Sequence, residues 1–325
     1  MTENFWEKLK KPIIALAPMA GITDQSFRLI CGDFGADVVY SEMANATALV
    51  YNPAKTLALL RSSIKEPPLV MQLFGANPEH FAVATKLLSN ELGARKYYSE
   101  YRKPQGIDIN FGCPVSKVIK TGSGAKLFQD IDRSRAVIKA VLNNTDLPVS
   151  IKIRSSSGNV TANDFLIAVA DLPISAVMIH GRSLTGGFSG EIDYEVIRQA
   201  RQHFSGIILA NGGINTPKDA QKTLVNTGAD GLGLARGILG APWLISQIKQ
   251  QTTVLEISER IEIIKKHADL VKVDNDNFLE FRKHLCWYLN GFPGAASKRQ
   301  EAVKVENWHD VNRLLEKWLM SVHIT

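Results

Sequence analysis

Long apolar runs are missing from this 325-residue chain. Nothing in it approaches the roughly 18 consecutive apolar residues that a membrane-crossing helix needs, so no membrane association is expected. The opening stretch MTENFWEKLKKP mixes Glu with Lys and has no apolar core, so no secretory signal peptide is expected. Cysteine is scarce. Cys31, Cys113 and Cys286 are three in number and unpaired in spacing, which argues against a disulfide framework, a zinc ribbon or an iron–sulfur cluster. No metal site and a reducing, cytoplasmic location are the expectation. A phosphate loop is absent after the first apolar run, where the sequence reads APMAG. Gly231-Leu-Gly233 is no dinucleotide fingerprint either: it lies inside a strand pattern and lacks a downstream acid in a βαβ unit.

What is present is an ordinary globular composition, 45% hydrophobic and 22% charged, with a net charge of +6. Length allows two domains at most, or one large α/β unit with an appendage. The positive charge is concentrated. Residues 95 to 126 hold seven Lys/Arg against two acids, and residues 282 to 304 hold five against one. Two basic islands suit a polyanionic partner touching two places, although solvated surface would account for them too.

Short apolar runs alternate with amphipathic stretches up to about residue 245. Strands are predicted at 13–17, 37–40, 69–73, 107–110, 149–153, 176–180, 207–211 and 230–235, with helical patterns between them. The strands are near-continuously apolar, as in a parallel sheet buried on both faces. Eight strand–helix repeats in about 240 residues match a (β/α)₈ TIM barrel. The rival doubly wound sheet lacks its expected phosphate loop. After Pro242 only helical periodicity remains, at 258–273, 277–290 and 307–320, with Ser258 a candidate N-cap and NGFPG (290–294) a helix stop. The predicted organisation is a barrel catalytic domain over 1–245 and a small helical-bundle domain over 246–325.

Chemistry in such barrels sits at the C-terminal strand ends. Those positions read Pro18–Met19–Ala20, Glu42, Gln72, Asn110 with Cys113, Lys152, His180 with Arg182, Asn211–Gly212–Gly213, and Gly233 with Arg236. The glycines after strands seven and eight let the main chain approach a phosphate, and Arg236 adds a forked charge; tight packing needs glycine as well. Lys152, His180 and Gln72 suit the pyrimidine edge of a flavin, a cation there favouring the reduced anion. Together with the phosphate loop, this ensemble reads as an FMN site. Cys113 has no neighbouring His in sequence that would activate it. Near its ordinary pKa of about 8.5 a thiol stays protonated at neutral pH and can act as a general acid. Taken by itself, Cys113 is better read as a buried structural cysteine.

In order along the chain, APMAGITDQSFR, SEM, MQLFG, DINFGCPVSKV with GSGAKL, IKIR, IHGR, ANGGI, GLARGILGAPW and FRKHLCWYLNGFPGA together resemble the tRNA-dihydrouridine synthases, the bacterial B-type branch most closely. That resemblance spans residues 13 to about 305 and implies reduction of the C5–C6 bond of uridine in tRNA, with FMN as cofactor and NADPH or NADH as reductant. It implies Cys113 as the acid that protonates C5. It also implies flavin contacts at Pro18, Met19, Ala20, Gln72, Lys152, His180, Asn211, Gly212, Gly213, Ala235 and Arg236. On the tRNA side it implies Asn110 at the flipped base, and Lys117, Arg182, Arg282 and Lys283 at the RNA, with His284, Lys298 and Arg299 gripping the tRNA body. Ala235 and Gly213 depart from the residues more common in that family, glycine and aspartate. No residue pattern marks a nicotinamide site, and none calls for an obligate protein partner. The basic, tyrosine-bearing segment 91–106 fits either an extra RNA contact or a tolerated loop. An FMN-dependent reductase of a free pyrimidine, such as dihydroorotate, explains the barrel and the thiol but leaves the basic tail unused. A non-catalytic RNA-binding barrel leaves the clustered strand-end residues unused.

Overall fold

The computed structural model describes residues 4–187, 189–250, 255–274 and 277–322. Eight parallel strands close into a barrel: β1 (Ile13–Leu16), β2 (Val38–Asn45), β3 (Leu69–Phe74), β4 (Gly106–Asn110), β5 (Val149–Arg154), β6 (Ala176–His180), β7 (Ile207–Asn211) and β8 (Gly231–Leu234). Each pairs with its sequence neighbours, and β1 closes the ring by pairing with both β2 (Ala15 opposite Val38) and β8 (Ile13 opposite Gly231).

Near-continuous apolarity has a simple cause here. Alternate residues such as Ile13, Ala15, Tyr40, Val70, Met178 and Leu209 fill the barrel interior. Their neighbours Ile14, Leu16, Val39, Met71 and Ile151 pack against the surrounding helices. Both faces are therefore dry, and period-two alternation is erased. Trp6, 1% exposed, packs onto the interior cluster and closes the N-terminal end of the barrel. Phe5 stacks on it at 4.8 Å. The opposite end stays open.

One strand differs from expectation. β2 does not stop at Tyr40 but runs to Asn45, with a register shift between Tyr40 and Met43 against β3. Such a bulge re-aims side chains. Met43 takes the mouth, while Glu42 turns to accept a hydrogen bond from the main chain of Gly21. Segment 91–106 precedes β4 and therefore lies at the N-terminal end, away from the mouth. It is tied down there by Tyr101, whose buried hydroxyl donates to Leu88 O at 2.7 Å. This geometry favours packing over RNA contact.

Beyond the barrel, helices Ile257–Asp274, Phe278–Tyr288, Ala295–Ala302 and Trp308–Val322 surround a core of their own that includes Ile264, Phe281, Leu285, Tyr288, Leu315 and Trp318. The helix 295–302 was not expected: Gly291 and Gly294, at φ 74° and 66°, make a turn that starts a helix as well as ending one. Ser258 is not the N-cap, because the helix begins at Ile257 and Glu259 accepts the Glu256 N–H instead. The bundle meets the barrel at helix Gln25–Asp33, where the Phe27 ring stacks on His267 and tilts against His284. Arg260 lies over Trp243 at 5.0 Å and Phe292 at 4.3 Å and donates to Tyr288 O. Among the described residues, no helix is long and apolar enough to cross a membrane.

Candidate active site

A cavity of about 700 Å³ opens at the C-terminal end of the barrel. Its wall includes Pro18, Met19, Ala20, Gln72, Asn110, Cys113, Lys152, His180, Arg182, Asn211, Gly212, Gly213, Ala235 and Arg236. All strand-end candidates singled out for cofactor or base contact thus share one space. Lys117, Arg282 and Lys283 do not line it. Lys117 is exposed on the short helix Ser116–Lys120, and Lys283 is exposed on the helical bundle. Arg282 is half-buried and reaches Val305 O.

Cys113 is held by a buried polar chain. Ser150 Oγ donates to Asp108 Oδ1 at 2.6 Å, and Gln72 Nε2 donates to Asp108 Oδ2 at 2.7 Å. Asn110 Nδ2 donates to Gln72 Oε1 at 2.8 Å. Asn110 Oδ1 then accepts the main-chain N–H groups of Gly112 at 3.1 Å and Cys113 at 2.9 Å. An ionised carboxylate only accepts, so each amide in turn must present NH₂ toward Asp108 and oxygen away from it. The Asn110 side chain is largely committed to this chain, which positions the cysteine loop. Arg154 Nε braces the same loop through Gly112 O at 2.8 Å, and its Nη1 reaches Ser183 O at 3.0 Å.

The electrostatics follow from burial. Burial pushes the Cys113 thiol above its ordinary pKa, despite the main chain at Val115 and the nearby Arg154 and Lys152 cations, so the sulfur keeps its proton at neutral pH. Burial, then repulsion from Arg154, lowers Lys152 to about 8. His180 is lowered to about 2 by burial and by Lys152, Arg154, Arg182 and Arg236, which fixes it as neutral imidazole. Asp108 rises to about 6, again through burial.

The cavity fits a flavin nucleotide by its donor set. Its volume lies within the range of roughly 300–1,000 Å³ typical of cofactor pockets. Lys152 Nζ and the His180 ring make no hydrogen bond to another described residue, and both face the cavity. At the far side Gly212 and Gly213 turn with φ 110° and 72°. A Cβ on Gly212 would lie 2.7 Å from His180 Cδ2, so a larger residue there would displace the imidazole. Consecutive turned glycines beside Arg236 make a natural anion cradle.

Sequence reasoning missed Met43, brought in by the bulge, and Arg154, whose signal was a second cation two residues after Lys152 in an apolar strand. It also misplaced His284. That ring is 3% exposed, packs against Phe27, His267 and Trp287, and is lowered to about 3 by burial, so it grips nothing outside the core.

Comparison with known proteins places these features. Among solved structures, histamine dehydrogenase from Rhizobium aligns with a TM-score of 0.51 at 13% identity, over 79% of this chain and 49% of that one. 6-Hydroxypseudooxynicotine amine oxidase from Pseudomonas geniculata aligns at 0.52 and 12%, over 73% and 47%. These likenesses establish the barrel fold. In sequence the chain is 34% identical over 298 residues to tRNA-dihydrouridine synthase B of Pseudomonas syringae pv. tomato, covering 88% of this chain and 85% of that protein. It is 30% identical over 322 residues to a probable tRNA-dihydrouridine synthase of Rickettsia prowazekii, covering 95% of each. Residues 15–322 match the family described as Dihydrouridine synthase (Dus). With the match spanning both the barrel and the helical bundle, the chain belongs to the dihydrouridine synthase family.

Proposed function

We propose that this protein reduces the C5–C6 double bond of uridine in tRNA, with FMN as resident cofactor and NADPH or NADH as reductant. The observation that carries the reading is that the Cys113 thiol, which burial keeps protonated, lines one cavity with Lys152, a half-buried cation that makes no hydrogen bond to another described residue. FMN, when bound, supplies the hydride that goes to C6. Lys152 would hold the pyrimidine edge of the flavin, with neutral His180 beside it. Gly212, Gly213 and Arg236 would hold its phosphate, while Pro18, Met19, Ala20, Asn211 and Ala235 line its walls.

Cys113 keeps a proton at Sγ and delivers it to C5; the resulting thiolate regains a proton from solvent. Thus one hydride and one proton saturate the bond and leave no charge on the base. Asn110 and Gln72 hold the thiol in register by the amide chain described above. Taking a base out of its stack costs a few kcal/mol, which phosphate contacts by Lys117, Arg182, Lys283 and neighbouring cations would offset. Residues 246–325 would serve as the tRNA-binding domain, reading shape and charge.

Purified protein incubated with unmodified tRNA and NADPH should yield dihydrouridine, detected as a 2 Da mass gain at specific uridines. Flavin-containing protein that oxidises NADPH yet leaves every uridine intact, while reducing a free pyrimidine, would sink the proposal.

A further inference from the structure

A second cavity, of about 490 Å³, lies at the same end of the barrel. Its wall comes from the ends of the same strands that form the first. On β2, Met43 faces the first cavity and Asn45 the second; after β3, Gly75 and Asn77 line the second; after β4, Cys113 and Val115 line the first, and Thr121 and Ser123 the second. The short helix Ser116–Lys120, with Lys117 and Lys120 exposed, connects in the chain the residues lining the first to those lining the second.

We propose that this second cavity receives a nucleobase of the RNA strand adjacent to the uridine held in the first; the inference rests on the tRNA reading above. Tyr51 supplies the platform. Tyr51 is 76% exposed at the cavity edge, so its ring is accessible to a stacking partner. His80 meets that ring edge-on at 5.7 Å, and Thr47 Oγ1 holds His80 Nδ1 at 2.8 Å, leaving Nε2 for a ligand. Asn45 and Asn77 spend their carbonyl oxygens on the N–H groups of Ala48 and Glu79. Their NH₂ groups remain as donors. Neutral hydrogen-bonding groups, one open aromatic face and cations on the connecting helix are what a stacked base with a flanking phosphate requires. A protein segment would not need the cations, and a free anion would not need the ring.

The test compares Tyr51→Ala and Tyr51→Phe holoenzymes on unmodified tRNA. Stacking on one aromatic ring carries enough affinity that the alanine variant should raise KM for tRNA about 10-fold or more. The phenylalanine variant should match wild type, and KM for NADPH should not move in either. An unchanged tRNA KM in Tyr51→Ala, or a rise confined to NADPH, overturns the inference, the latter assigning the cavity to the dinucleotide. A wild-type enzyme that modifies no tRNA overturns the parent reading with it, so the two failures are told apart by the wild-type control.

Discussion

Asp108 accepts Gln72 Nε2 at 2.7 Å, and that contact sets the direction of every amide between the carboxylate and Cys113. An asparagine at 108 could offer either oxygen or NH₂, and the constraint would vanish. Asp108→Asn should therefore retain flavin absorbance but lower kcat for tRNA roughly 10-fold, with misaligned thiol as the cause. Because Asp108 sits near pH 6, beside Lys152 and the Tyr40 ring, protonation should do the same to wild type. An acid limb near pH 6 in wild type that disappears in the variant, measured as kcat against pH, is the expected signature.

Removing the thiol tests the proton donor itself. Cys113→Ala should bind flavin and tRNA normally and lose roughly 100- to 10,000-fold in uridine reduction, the usual range for a general acid. Single-turnover mass spectrometry reads this directly; full turnover would remove the role.

Lys152 gives a stability prediction with a definite sign. Its folded pKa of about 8 lies below the ordinary 10.5, so between those values the unfolded chain binds the extra proton. Stability then rises with pH across that window. Urea midpoints of cofactor-free wild type, compared with Lys152→Met, should show the variant's advantage at pH 7.5 shrinking as pH approaches 10. A constant difference between the two would contradict the lowered pKa of Lys152.

Much of this architecture is legible in the sequence, because parallel strands buried on both faces must be apolar throughout and their ends must be polar where a mouth opens. The spacing of β1 to β8 and the strand-end residues follow from that alone. The bulge that exchanges Glu42 for Met43 does not, since it depends on register against β3. Nor does the commitment of Asn110 to Gln72 and the cysteine loop. His284 was legible and misread: counting charge along 282–284 ignores that successive helical residues point about 100° apart. Phe281, His284, Leu285 and Tyr288 form the buried stripe at i, i+3, i+4 and i+7, leaving Lys283 outside.

That outward placement predicts a surface role for Lys283. Lys283→Glu should weaken tRNA binding several-fold and flatten its salt dependence by about one phosphate contact, while NADPH oxidation by the flavin persists. Filter binding across a salt series checks both parts.

Arg260 should matter for the bundle alone. Losing its two aromatic faces and its bonds to Tyr288 O and Asn290 O should cost roughly 2 kcal/mol. Arg260→Ala should lower the melting temperature without altering the flavin spectrum.

The filled interior, capped at its N-terminal end by Trp6, makes the barrel a blind alley. Anything that reaches its floor must back out the way it came, so on the function proposed above a bulky hydride source and an RNA loop would compete for one doorway. Such traffic would favour alternation, each visitor departing before the next arrives, with parallel lines in double-reciprocal plots as the expected kinetic mark.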